Sequence, residues 1–435
     1  MRRVAIATLG CKVNQYDSEG LAERFRQAGY EVVGFGEPAD VYVVNTCTVT
    51  QTGDKKSRQL LRRAVGAHPD ALVVATGCYA QSSPEDLVRI EGVALVSGTA
   101  DRGAIVDRVN ELLEEGYSNR PSWNTVGDIE SCRVYEELPA HGCAERTRAY
   151  VKIEDGCENF CAYCRVPYVR GPVRSRPLHQ IVAEVQQIAL AGHREVVLTG
   201  IDLGAYGRDF DGRPDLSDAL RACAEVPGIS RVRVSSIDPR DVTDRLIQAM
   251  SGTVGVCPHL HIPLQSGSAR VLAAMNRNYT PEYYLDVVER ARLAIPDLAV
   301  TTDVIVGFPG ETEEDFNATM ETSRAARFSR MHVFPYSRRP GTVAAQMSGQ
   351  VARSVKEARC ARLIALAREL AQEFHESMVG STVSVLVEQC EPGEIQGLTG
   401  NYARVVAKGS GCAGETVDVK VTRAEEGYVQ GDAEL

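Results

Sequence analysis

A chain of 435 residues is too long for one compact core and implies two or three domains. Its 44% apolar and 24% charged residues are ordinary for a globular protein, which excludes wholesale disorder. A formal net charge of −10 excludes blanket attraction to nucleic acid, so any such contact must be local.

In chain order, the first element is "VAIATLG", which follows Arg2 and Arg3 and breaks at Gly10, Cys11 and Lys12 without a small-residue cleavage pattern. It reads as a strand and not a leader. No window holds the ~18 uninterrupted apolar residues of a membrane span. The expectation is a cytoplasmic protein with no membrane partner. Thirteen cysteines, an odd number scattered along a large chain, do not fit a secreted disulfide framework. Reduced thiols holding a metal fit better.

After "VAIATLG", the runs "VYVVNTC", "ALVVATGC" and "VALVSG" read as further strands. Amphipathic helical stretches lie between them, with Asp54 and Ser83 as expected caps. This alternation predicts a small α/β domain with a parallel sheet over 1–120. Periodicity then fails in a stretch rich in Gly, Pro, Ser and Asn, so 121–142 is expected as a linker.

A second alternation fills 143–375. Its strand candidates are "AYVKIED", "EVVLTGI", "RVRVSSID", "HLHIPLQ", "AVTTDVIVG" and "MHVFPYS", each followed by a turn and a helical pattern. Six βα-type units predict a barrel or partial barrel. A long amphipathic helix, "SVKEARCARLIALARELAQEFHESMVG", is expected to stop at Gly380. The remainder, 378–435, alternates in steps of two between Gly and Pro turns and predicts a small antiparallel β-barrel.

Cysteine position carries the chemistry. Cys11, Cys47 and Cys78 each follow a strand candidate, and the C-terminal ends of parallel strands share the edge where ligands bind. The three should converge, although any one of them also fits a small buried hydrophobe. Cys157, Cys161 and Cys164 form a second trio in "DGCENFCAYC", just beyond the first strand of the second alternation. A structural zinc site needs four ligands, and no fourth Cys or His follows at zinc-like spacing. A 4Fe–4S cluster held by three thiolates keeps one iron open for a substrate or cofactor.

The loop "CENFCAYC" resembles the CxxxCxxC loop of the radical S-adenosylmethionine (SAM) enzymes, whose open iron chelates the amino acid part of SAM. More widely, "LGCKVNQYDSE", "NTCTVT", "GCYAQ", "RVPYVRGPVRSR", "LTGIDLGAYG", "LHIPLQSGS" and "DVIVGFPGET" resemble the methylthiotransferases of that superfamily. The resemblance implies a flavodoxin-like parallel-sheet domain, a TIM-like partial (βα)6 radical SAM barrel and a C-terminal TRAM barrel. It implies replacement of C–H by C–S–CH3, with one SAM as methyl donor and another as source of a 5′-deoxyadenosyl radical. Cys11, Cys47 and Cys78 would hold an auxiliary 4Fe–4S cluster that carries sulfur; Cys157, Cys161 and Cys164 would hold the SAM-cleaving one.

Within the family, "GCKVNQYDSE" and "NTCTVTQTGDKKSRQLLRRA" resemble members acting on N6-threonylcarbamoyladenosine, the tRNA base 3′ of the anticodon. "LHIPLQSGS" and "MNRNYT" are partly like the isopentenyladenosine branch, and a ribosomal-protein aspartate is the third family substrate. A non-catalytic electron-transfer or scaffold protein is the alternative outside enzymes. A flavodoxin or ferredoxin is the expected electron donor.

For SAM, the expected contacts are Tyr163 in the loop and the strand-end residues Thr199, Gly200, Ser235, Gln265, Ile305 and Gly307. For RNA phosphates, Lys55, Lys56, Arg58, Arg62 and Arg63 share a helix, and Arg165, Arg170, Arg174 and Arg176 crowd the second trio. The helix charges equally fit a solvated face. The C-terminal barrel is acidic, with Tyr402 as a candidate for stacking on a base, and His259 and His261 share a strand face. Cys132, Cys143, Cys223, Cys257, Cys360, Cys390 and Cys412 read as structural or surface thiols.

Overall fold

The computed structural model describes residues 1–116, 122–138, 146–211 and 214–434; Cys143 lies outside them. The chain forms two compact units that interleave in sequence. One comprises Met1–His141, Lys152–Arg176 and Ser337–Thr342; the other comprises Gly142–Val151, Pro177–Tyr336 and Val343–Leu435.

The first unit is built on a six-stranded sheet. Its strands are β1 (Arg3–Thr8), β2 (Glu31–Val33), β3 (Val41–Thr46), β4 (Leu72–Gly77), β5 (Val93–Val96) and β6 (Trp123–Asn124), in spatial order 2-1-3-4-5-6. Every pairing is parallel, and the first five strands follow the flavodoxin-like order. β3 and β4 are buried along their whole length, because helices cover both faces of a parallel sheet. Two apolar clusters form the two layers, one around Tyr42, Leu61 and Val73 and the other around Phe25, Val43 and Val74. β6 comes from the stretch expected as a linker and extends the sheet edge.

The expected strand "AYVKIED" divides in two. β7 (Arg148–Lys152) joins the barrel sheet, while β8 (Glu154–Asp155) pairs antiparallel with β9 (Arg174–Ser175) in a short ribbon. In the second unit β10 (Glu195–Thr199) and β11 (Arg231–Val234) continue from β7. β12 (His259–His261), β13 (Ala299–Val306) and β14 (Arg330–Pro335) form a parallel sheet of their own. Parallel bridges Val232 to Val256 and Ser236 to His261 join the two sheets. The result is an arc of six strands with β7 and β14 as its edges, the expected partial barrel.

The helix Arg353–Ser377 leads into five strands: β15 (Thr382–Glu391), β16 (Glu394–Thr399), β17 (Arg404–Lys408), β18 (Thr416–Glu425) and β19 (Tyr428–Ala433). They close as β15-β16-β17-β19-β18 around Val385, Val405, Val419 and Val429. The expected antiparallel barrel needs one correction: β17 and β19 pair in parallel. Five strands in a ring cannot alternate direction throughout, so one neighbouring pair must run the same way.

Candidate functional site

Parallel register gathers the first trio. Thr8 of β1 lies opposite Asn45 of β3, and Thr46 of β3 lies opposite Gly77 of β4. Cys47 and Cys78 each follow their strand by one residue and Cys11 follows by three, so all three reach the same sheet edge. Each opens onto a helix. Cys11 is the N-cap of Lys12–Gln27 and Cys78 begins Cys78–Ser82. Cys47 turns into Thr50, whose hydroxyl accepts the Gly53 N–H at 3.1 Å and caps Gln51–Ala67. Asp54 is therefore not the cap; it accepts the Thr48 hydroxyl at 2.8 Å. Ser83 precedes Pro84–Val88 but makes no side-chain cap bond. Gly77 has φ +90°, and a Cβ there would lie 2.3 Å from Asn45 Oδ1. Only glycine lets β4 deliver Cys78 at this point.

Asn14 links two of the three thiols. Its Oδ1 lies 4.0 Å from Cys11 Sγ and 3.8 Å from Cys78 Sγ, while its Nδ2 donates to the Leu9 and Thr46 carbonyls at 2.7 and 3.1 Å. Cys11 is exposed as a residue, but the protein crowding its sulfur raises its thiol against the pull of Arg170. Burial, joined by Cys78 and Cys11, pushes Cys47 up to about 11. Such thiols ionise when a metal core supplies the positive charge. Among the described residues no three His, Cys, Asp or Glu side chains converge to hold a single metal ion. A 4Fe–4S core is bonded at separate corners and does not require that convergence, so this donor set fits it.

The second trio occupies a loop pinned at both ends. Cys157 N donates to Gly171 O at 3.0 Å, Cys164 N to Cys161 O at 2.9 Å, and Val166 N to Cys164 Sγ at 3.3 Å. Gly156, with φ +102°, permits the close approach: a Cβ would stand 1.9 Å from Pro172 O. Cys161 is buried, Cys157 and Cys164 are half-buried, and Phe160 packs edge-on against Tyr168. Three thiols with a sulfur-directed N–H, part open to solvent, fit a cluster that must admit a cofactor.

The expected SAM contacts fall in both units. Tyr163 is half-buried within the loop. Thr199 ends β10, Gly200 follows it, and Ser235 is buried beyond β11 with its N–H on Leu198 O at 3.1 Å. Gln265, at φ 62°, bonds the β13 backbone twice: its N–H reaches Asp303 O and its carbonyl takes the Ile305 N–H, both at 2.9 Å. The Gly307 N–H is engaged by Glu311 Oε2 at 2.8 Å. Neither Ile305 nor Gly307 therefore has a free amide to offer an adenine.

The arginines divide sharply. Lys55, Lys56, Arg62 and Arg63 are exposed along Gln51–Ala67, as a phosphate-binding face requires. Arg58 is half-buried and bonds Tyr79 Oη, while Arg165 bonds Pro340 O at 3.0 Å and Ser82 Oγ at 2.9 Å. Arg170, Arg174 and Arg176 correct the expectation, since all three are buried. Arg170 and Arg174 face Asp155, and Arg176 is paired with Glu137. A cation so enclosed has no surface on which to meet a phosphate. Tyr402 is corrected too: it lies under the Arg233 guanidinium at 4.6 Å and beside His259 at 4.8 Å, so its ring is covered within its own unit.

Two features escaped the sequence reading. Asp17 and Asp155 form a buried ionic cluster with Arg102, Lys152 and Arg170. In the second unit, His261 and His332 flank Asp303 at 3.4 and 3.0 Å across β12, β13 and β14. The alternation of Asp303 with Ile305 was the available signal that both share one face. Burial raises the Asp303 carboxyl, but hydrogen bonds from the two histidines outweigh it and hold it well below the usual range.

Three family models match: the radical SAM superfamily at residues 151–322, "Uncharacterized protein family UPF0004" at 3–98 and the TRAM domain at 376–433. The Bacillus subtilis threonylcarbamoyladenosine tRNA methylthiotransferase MtaB is 44% identical over 99% of this chain and 96% of its own. A tRNA-2-methylthio-N(6)-dimethylallyladenosine synthase from Acidothermus cellulolyticus is 42% identical over 90% of this chain and 78% of its own. Among solved structures, the radical SAM methyltransferase TsrM of Kitasatospora setae shares the fold at TM-score 0.59 and 15% identity, covering 91% of this chain and 80% of that one. Among the described residues no helix is long and apolar enough to cross a membrane. The chain belongs to the methylthiotransferase family of radical SAM enzymes, and that superfamily implies a 4Fe–4S cluster and SAM.

Proposed function

We propose that this enzyme inserts a methylthio group at C2 of N6-threonylcarbamoyladenosine, 3′ of the anticodon in tRNA. The observation that carries the substrate is full-length similarity, at 44% identity, to a relative named for that nucleoside. The work belongs in the cytoplasm, where tRNA and a flavodoxin or ferredoxin reductant are at hand.

Cys157, Cys161 and Cys164 would hold the SAM-cleaving cluster, and Cys11, Cys47 and Cys78 an auxiliary one. When bound, these groups supply the radical that removes hydrogen from carbon and the sulfur that replaces it. Proximity is the chemical reason for two sites on one chain: a carbon radical needs its sulfur partner within bonding reach. Tyr163, Thr199, Gly200, Ser235 and Gln265 would orient SAM, with the carbonyls of Ile305 and Gly307 completing its pocket. Lys55, Lys56, Arg62 and Arg63 would hold anticodon-loop phosphates. In domain terms, 1–120 would carry the auxiliary site, 143–375 the radical core and 378–435 the TRAM barrel, while the stretch 121–142 expected as a linker adds β6 to the first sheet.

Nucleoside mass spectrometry of tRNA from cells with and without the gene tests the reading. Loss of the methylthio form of threonylcarbamoyladenosine is expected. Loss of the isopentenyl counterpart instead would reassign the substrate, and absence of 5′-deoxyadenosine from reconstituted enzyme, SAM and reductant would remove the radical chemistry.

A further inference from the structure

Cys164 and Cys78, one from each trio, receive different hydrogen bonds at sulfur. Cys164 Sγ accepts a neutral backbone N–H from Val166 at 3.3 Å. Cys78 Sγ accepts Nε–H of Arg170 at 3.4 Å, from a fully buried guanidinium. Arg170 ends the helix Val166–Arg170 that leaves the second trio, yet its side chain lies against the first. Its other contacts hold it there. Nη1 donates to Asp17 Oδ2 at 2.9 Å and to both Asp155 oxygens at 3.2 and 3.0 Å, and Nη2 donates to Asn14 Oδ1, which lies 4.0 Å from Cys11 Sγ and 3.8 Å from Cys78 Sγ. Asp17 and Asp155 are themselves fixed by Lys152 and Arg102. The guanidinium cannot swing away from the sulfur without leaving charges unpaired in the interior.

We propose that Arg170 is a positioning residue that sets the reduction potential of the auxiliary cluster through its hydrogen bond to Cys78, independently of the SAM cluster. This rests on the reading of Cys11, Cys47 and Cys78 as cluster ligands. Hydrogen bonds to ligand sulfurs are among the levers that set cluster potentials, and a charge-assisted donor is roughly twice as strong as a neutral one. One-electron reduction adds negative charge to the core and its thiolates. A fixed cation on one of those thiolates favours the reduced form, so Arg170 raises the auxiliary potential.

The test is a dithionite titration, with redox mediators, of the anaerobically reconstituted holoenzyme, in which dithionite supplies the electron each cluster takes up. Iron content and electron paramagnetic resonance follow both clusters, and added SAM marks the signal of the SAM cluster. In Arg170→Gln, iron content is expected to hold while the oxidised-to-reduced ratio of the auxiliary cluster at fixed potential rises about tenfold, equal to ~59 mV for one electron. The SAM-cluster midpoint should not move, and Arg170→Lys should recover part of the shift.

Because Arg170→Gln removes one cation from the cluster around Asp17 and Asp155, the double variant Asp17→Asn/Arg170→Gln supplies a charge-balanced comparison, and the same shift is expected in it. An unchanged auxiliary midpoint, or equal shifts in both clusters, would overturn the proposal. If wild-type enzyme binds only one cluster, the two-cluster reading itself fails, and this inference with it.

Discussion

Cys157, Cys161 and Cys164 come from one loop, whereas Cys11, Cys47 and Cys78 come from three strand ends brought level by parallel pairing. The loop trio is local: all three thiols lie in the one stretch 157–164, and the bonds at Cys157, Cys164 and Val166 shape it. The dispersed trio is a tertiary product that exists only while β1, β3 and β4 stay in register and Gly77 and Asn14 keep their places. A local site should survive damage that dismantles a tertiary one. The reverse should hold for chemistry, since each trio is expected to serve a different half of the reaction.

The sharpest way to break this comparison is to remove one ligand from each trio. Cys161→Ala is expected to abolish 5′-deoxyadenosine formation and to remove roughly four irons per chain. Cys47→Ala should lose a similar amount of iron and all methylthio product while SAM cleavage continues, so identical phenotypes would show the trios are not separable. Product analysis by liquid chromatography with iron assay reads both.

Asp155→Asn probes what the trios share. It leaves Arg170 and Lys152 buried beside a neutral side chain, and the chemical denaturation midpoint should fall by an amount worth about 3–5 kcal/mol. Burial raises the Asp155 carboxyl, but Arg170, Lys152, Arg174 and Arg102 outweigh it and hold it well below the usual range. A carboxyl lowered in this way stabilises the fold above its ordinary pKa of ~3.9, and that contribution fades as pH falls through the lower folded value. The wild-type lead over Asp155→Asn should therefore be full at neutral pH and shrink below pH ~4. A lead that grows on acidification would contradict the ionic account.

Gly77→Ala is a milder, selective injury, because it strains only the dispersed trio. About 1–3 kcal/mol of destabilisation is expected, with auxiliary iron lost before SAM cleavage declines. Equal decline of both would mean the sites do not differ in how they are held. The smallest effect belongs to the exposed helix face: Arg62→Glu with Arg63→Glu should weaken tRNA binding and flatten its log–log salt slope by ~0.7–0.9 for each phosphate no longer neutralised. An unchanged slope would return these arginines to a solvated face.

Much of this was legible in the chain because it is periodic or contiguous. Strands of four to eight residues, such as "VYVVNT" and "TTDVIV", announced the sheets, and the CxxxCxxC loop announced itself by spacing. The burial of Arg170, Arg174 and Arg176 was not legible, since an arginine in a polar, glycine-containing stretch looks the same whether it faces solvent or a distant aspartate. Nothing local distinguishes Asp17 as the partner of Lys152. The division of "AYVKIED" into a barrel strand and a ribbon strand was hidden for a similar reason: β8 finds its partner at Arg174–Ser175, beyond the whole cysteine loop.

The sequence by itself determined the elements, the loop trio and the kind of chemistry, because local spacing dictates which groups a short segment can present together. Only the tertiary structure decided the register that levels the three strand ends, which arginines are sealed in, and that the segment after the radical loop packs its Arg170 against Cys78. Those facts depend on strand register and on charges that must find partners once water is excluded, and both belong to the folded chain as a whole.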